Sequence, residues 1–213
     1  MRYDLPIDED FLLKFLNDTL EPMNESWLET KLTWITDSKF RIQQKVDSFI
    51  GKQVNKPTKF VFNESLKFMR YKPDIGIIED VRWIKKTIAY SPDPVNKGML
   101  EHWATADEVL RTRMDDCDAT NATVGILGVL SGIPWYHIWY AIGEVYNPNM
   151  WNNKEGHFWI MYFSSHTGKW YSIDATYKVD LTPIADRVPY SPNPKRYIKI
   201  NYLWNHKKVY KNA

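Results

Sequence analysis

The chain of 213 residues contains one cysteine, Cys117. A single thiol excludes an intrachain disulfide and any multi-cysteine zinc or iron–sulfur centre within one chain. No run of about 18 apolar residues occurs, so no membrane-spanning helix is expected. The first ten residues, "MRYDLPIDED", are acidic where a secretory leader would be basic. A cytoplasmic location, or a place in an intracellular or virion assembly, is therefore the expectation. Charge of one sign is also not in excess: the net value is +2, which by itself points to no partner. Repeats and low-complexity segments do not occur.

Aromatic residues, by contrast, are plentiful. They make up 15% of the chain, ten of them Trp, within an apolar content of 44%. That composition describes a folded globular protein with a sizeable core. The ends are polarised. Residues 1–30 carry eight acids against Arg2 and Lys14, while residues 195–213 carry Lys195, Arg196, Lys199, Lys207, Lys208 and Lys211 with no acid. Two solvated surfaces are the plain reading. A basic, aromatic tail that grips a polyanion or a protein partner is the sharper one. Tyr197, Ile198, Ile200, Tyr202 and Leu203 read as an ordinary strand, so nucleic acid is not expected.

Period and punctuation predict helices first. One spans 8–20, capped by Asp8, with Phe11, Leu12, Phe15 and Leu16 on one face. Others span 25–35, 38–51 (ending at Gly51), 63–71 and 77–90, with a turn over 52–60 around Pro57. From residue 135 the pattern turns to strands. "WYHIWYAIGEV" is apolar on both faces and predicts a central buried strand. "HFWIMYFS" and "KWYSID" flank "SHTG" as a hairpin. Helices before sheet is an α+β order.

Cys117 falls between these halves. Thr105 followed by Glu108 is a capping-box pattern and starts a short helix. A second helix opens at Asp115 or Asp116, either a good N-cap. Ala119, Ala122, Thr123, Ile126, Leu127 and Leu130 form its buried stripe, and Gly132 and Pro134 end it. Cys117 is thus in the first turn of an apolar helix. Free N–H groups there favour a thiolate and can hold an oxyanion. The flanking Asp115, Asp116 and Asp118 act the other way, so a partner imidazolium is required. A lone cysteine among acids also fits a small core residue beside helix caps.

The hairpin separates the histidines. If Ser165–Gly168 is a four-residue loop, Ser164 faces Lys169, and His157 and Asp174 become diagonal neighbours on one face. Asp174 can then orient one ring nitrogen and leave the other for the thiol. A three-residue loop would put them on opposite faces.

The stretch from "HWATADEVLRTRMDDCDAT" through "GHFWIMYF" to "KWYSIDAT" resembles the transglutaminase-like superfamily of papain-fold cysteine enzymes. The likeness covers about residues 77–180. It implies a Cys-bearing central helix packed on an antiparallel sheet, with 1–60 as a helical extension and 61–213 as the enzyme core. It also implies that Cys117 is the nucleophile, His157 the general base and Asp174 the orienting acid. Trp103 matches a Trp that lines the cleft or donates its indole N–H. In some bacterial members, acids beside the cysteine bind calcium. Here these would be Asp115, Asp116 and Asp118, although Asp115 stands where glycine is usual and Ala119 where an acid often stands. No cofactor is expected, with calcium as the alternative. The implied activity is a peptidase or amidase working through an acyl-enzyme, with transfer of the acyl group to an amine as a variant. The rival is an assembly or scaffold module that contacts protein partners through the N-terminal helices or the basic tail.

Overall fold

The computed structural model describes residues 20–22, 46–98, 102–191, 195–205 and 209–212. The helices expected over 8–20 and 25–35 lie outside these residues, apart from Leu20. Six helices are described: α1 (Val46–Asn55), α2 (Lys59–Ser65), α3 (Pro73–Thr87), α4 (Asp93–Asn96), α5 (Ala106–Thr112) and α6 (Cys117–Leu130). The strands are β1 (Leu20–Pro22), β2 (Ala89–Tyr90), β3 (Met114–Asp115), β4 (Ile138–Tyr146), β5 (Lys154–Ser164), β6 (Lys169–Ile173), β7 (Tyr197–Trp204) and β8 (Val209–Asn212). The main sheet has the order β1-β8-β7-β4-β5-β6 and is antiparallel throughout. A separate two-stranded parallel pair, β2 with β3, brings Tyr90 opposite Asp115.

Several boundaries differ from the sequence pattern. The helix expected to stop at Gly51 continues to Asn55, and Gly51 is buried within it. Thr58 then accepts the Val61 N–H at 3.2 Å and caps α2, so the expected turn shrinks to a few residues. The helix expected over 77–90 starts earlier, because Pro73 sits at its first position, where a missing N–H does no harm. It also ends earlier, because Ala89 and Tyr90 are drawn out to pair with β3.

Other local expectations hold. Thr105 caps α5 by accepting the Glu108 N–H. Gly132, at φ +104°, ends α6 in a Schellman turn: its own N–H reaches the Val129 carbonyl, and the Ile133 N–H reaches the Gly128 carbonyl. Trp135–His137 form a short 3₁₀ turn before β4 rather than part of the strand.

The sheet has an apolar layer on each face. On one side Tyr140, Phe158, Ile160, Tyr162 and Trp204 pack with α6 and the other helices; Phe49 and Ile50 of α1 join this cluster. On the other, Trp139, Trp159, Met161, Phe163 and Tyr197 form a second cluster. The alternation along β5 is the period-2 rule at work. It also explains why β4, between β5 and β7, is apolar on both faces. Among the described residues no helix is long and apolar enough to cross a membrane.

Gly143 marks the closest approach in the sheet. It pairs with His157 on one side, and the β4–β7 register shifts beside it on the other. A Cβ there would lie 2.0 Å from the Lys199 carbonyl oxygen and 2.6 Å from the Trp159 ring. Because one of those atoms is backbone, a Gly143→Ala chain must move β7. We expect a stability loss of about 1–3 kcal/mol, read as a lower urea midpoint with an unchanged slope.

Candidate active site

The hairpin turn decides the site. Ser164 pairs with Lys169, the Gly168 N–H bonds the Ser164 carbonyl at 2.9 Å, and Gly168 has φ +67°. The loop is therefore four residues long. His157 and Asp174 fall on one face, and His157 Nε2 lies 2.7 Å from Asp174 Oδ2. The carboxylate can only accept here, so Nε2 carries the hydrogen and Nδ1 is left as the other nitrogen. The ring is clamped: Trp159 stacks on it at 6.1 Å between centroids, and Tyr177 meets it edge-on at 5.5 Å.

Asp174 is 4% exposed and is held from every side. Its Oδ1 accepts from the Thr176 N–H (2.9 Å), the Thr176 hydroxyl (3.0 Å), the Tyr177 N–H (3.0 Å) and Asn121 Nδ2 (3.2 Å). Its Oδ2 accepts from His157 and from the Tyr197 hydroxyl at 3.0 Å. Burial alone would push this carboxyl up. The charge and hydrogen bond of His157, with the Tyr177 and Thr176 N–H groups, outweigh it and hold the carboxyl below its usual range.

The helix reaches this pair through a gap in the sheet. The ladder between β5 and β6 ends at Ile160 and Ile173. Beyond it the Phe158 backbone is open on that edge, and α6 takes up its carbonyl through Asn121. The Phe158 N–H favours the thiolate of Cys117. Asn121, one turn further along, donates to the Phe158 carbonyl at 2.9 Å and accepts the Ala175 N–H at 2.8 Å. The partly buried Cys117 opens the helix that Asn121 ties to this strand. Burial, then Asp116, Asp118 and Asp174, push its thiol above the ordinary value, and the Phe158 N–H opposes them.

Trp103, expected at the cleft, lies in the core at 4% exposure. It stacks on Trp204 and meets Phe49 and Phe158 edge-on. Asp116 occupies the N-cap position of α6, but its side chain makes no capping bond. Asp118 is buried. The carboxylates that converge are Asp93, Asp115 and Asp116, which offer oxygens within 4.8 Å of one another. The sequence pattern missed Asp93, because a loop 22 positions upstream carries no spacing signal toward Asp115. Lys97 Nζ lies 3.6 Å from Asp115 Oδ2 and also bonds Glu108. Burial nevertheless raises Asp115 to about 6. Asn121 was missed as well. Its only sequence signal is an amide side chain four residues after Cys117, in a helix that also carries Asp118, Thr120 and Thr123.

No family model matches the sequence, and no curated protein matches it. Solved structures do. Calcium-bound Legionella pneumophila LapG superposes with a TM-score of 0.54 at 13% identity, over 78% of this chain and 87% of LapG. EGTA-treated LapG gives 0.53 at 12%, over 78% and 86%. The fold is transglutaminase-like. At these identities the likeness establishes the architecture, a Cys-bearing helix on an antiparallel sheet, and the side-chain geometry above has to carry the chemistry.

Asn121 joins helix, strand and acid. Asn121→Ala leaves the Ala175 N–H without its acceptor in a buried site. We expect a loss of about 1–3 kcal/mol in chemical denaturation, with a loss of ring order at His157 in NMR spectra.

Proposed function

We propose that the protein is a thiol-dependent hydrolase of protein or peptide amides, with Cys117 as nucleophile, His157 as general base and Asp174 as orienting acid. The observation that carries this reading is the 2.7 Å His157–Asp174 pair, on the strand that Asn121 ties to the helix opened by Cys117. A histidine oriented by a buried carboxylate beside a thiol at a helix start is the base–orienter–nucleophile arrangement.

In the first step Cys117 Sγ bonds to the amide carbon and its proton passes to His157. Charge collects on the carbonyl oxygen, where the Cys117 backbone N–H at the start of α6 is the donor. His157 returns the proton to the leaving nitrogen, the C–N bond breaks and a thioester remains. Water attacks the thioester, His157 takes its proton and gives it back to sulfur, and the acid leaves. An amine in place of water gives acyl transfer by the same sequence. Hydrolysis is the reading kept, because transfer requires an amine site that excludes water. Residues 1–60 are proposed as an N-terminal extension of the 61–213 core, one that joins it through Phe49 and Ile50 of α1.

The electrostatics make the role of His157 testable. Burial and then the carboxylates hold the Cys117 thiol up, so only a cationic partner can bring a thiolate into the neutral range. Iodoacetamide should therefore label Cys117 readily near pH 6, and His157→Ala should slow labelling there by at least about tenfold. A thiol that is unreactive, or that follows a titration near about 8.5 in both proteins, overturns the enzyme reading in favour of a protein-binding module.

Calcium is proposed as a ligand of Asp93, Asp115 and Asp116. The buried Asp116 Oδ1 has no hydrogen-bond partner, and three carboxylate oxygens converge beside it. Oxygen donors of this kind suit calcium, which takes six to eight. When bound it would offset the negative charge that disfavours the thiolate. Millimolar calcium should raise the melting temperature of the EGTA-treated protein, and Asp115→Asn should remove the increase. An unchanged melting temperature in the native chain rejects this site.

A further inference from the structure

We propose that Tyr197 is a positioning residue that tunes His157 through Asp174. Its place is not predicted by strand order. Tyr197 is on β7, which neighbours β4, whereas His157 and Asp174 belong to β5 and the end of β6. The register shift beside Gly143 and the second shift between Glu144 and Val145 bring Tyr197 opposite Val145. From there its ring packs on Trp159 at 5.0 Å and its hydroxyl reaches Asp174 Oδ2 at 3.0 Å.

The same oxygen receives His157 Nε2 at 2.7 Å. Two donors on one carboxylate oxygen divide its negative charge. The phenol cannot leave the competition by ionising, since burial and then the Asp174 charge push it above its ordinary value. It remains a neutral donor whenever Asp174 is ionised. Its hydrogen bond weakens the hold of Asp174 on a protonated His157, so the imidazolium releases its proton more easily. A general base that must give its proton to a leaving amine benefits from that shift.

Other groups around His157 leave this effect readable. Trp159 and Tyr177 contribute rings. Glu144 on β4 is paired with Lys154 at 3.1 Å and Lys199 at 3.1 Å. Arg196 stacks on the Tyr197 ring at 5.4 Å and acts on the phenol. In Tyr197→Phe these groups remain and only the hydroxyl is lost.

The inference rests on the thiol–imidazole reading only for its use in catalysis, and the experiment separates the two. The His157 ring is titrated by ¹⁵N-detected NMR in the full chain. Tyr197→Phe is expected to raise the midpoint by about half a unit or more, because a hydrogen bond to a charged group is at stake. Site-specific 3-fluorotyrosine at 197, a more acidic phenol and a stronger donor, is expected to lower it. This second substitution keeps the ring and the hydroxyl, so it decides the matter if Tyr197→Phe does not fold. A midpoint that stays fixed in the folded variants, or moves the opposite way, overturns the tuning. If the midpoint moves while Cys117 labelling ignores His157→Ala, the tuning stands and the proposed hydrolase falls. If labelling depends on His157 but the midpoint is fixed, the tuning alone falls.

Discussion

A carboxylate taken out of water must be surrounded by donors, and Asp174 is surrounded by them: two backbone N–H groups, two hydroxyls, one amide and one imidazole. Each donor comes from a different part of the chain or pins a different turn of it. Asn121 brings the central helix, His157 the long hairpin strand, Tyr197 the strand across the sheet, and Thr176 and Tyr177 the loop that follows. Burial of this one charge is tolerable only when all of them are in place. The site and the packing of the helix on the sheet are therefore one structure.

The gap in the sheet has the same logic. A ladder that ran on between β5 and β6 would consume the Phe158 N–H and carbonyl. Because the chain leaves the ladder after Ile173, those two groups need other partners, and Asn121 in the second turn of α6 supplies the carbonyl's. The unpaired edge thereby holds α6, the helix that Cys117 opens, against β5. The acids before and after the cysteine remain the discordant element. Burial first, and then Asp116 and Asp118, raise the thiol, so a thiolate there would require a neighbouring cation.

Much of this was legible along the chain. The hairpin parity placed His157 and Asp174 on one face because side chains in a strand alternate strictly and the loop length set the register. The stripe from Ala119 to Leu127 and the Gly132 stop placed Cys117 in the first turn of a buried helix, because those signals are local. Local rules failed where tertiary pairing intervened. Ala89 and Tyr90 left the helix pattern to join β3, and Trp103 went to the aromatic core because Phe49, Phe158 and Trp204 offered a larger apolar contact than a cleft wall would.

The sequence by itself determined the change from helices to long strands after residue 135, the helix start beneath the thiol and the diagonal relation of histidine to aspartate. All three depend on neighbours fewer than about 20 positions apart, where backbone period and turn length are sufficient. Only the tertiary structure decided that Asn121 and Tyr197 share Asp174 with His157, that Asp93 joins Asp115 and Asp116, and that β7 lies beside β4 with two shifts of register. Those contacts join residues far apart in sequence. They are fixed by how a buried charge collects donors and by how a twisted sheet closes over its core, neither of which leaves a periodic trace along the chain.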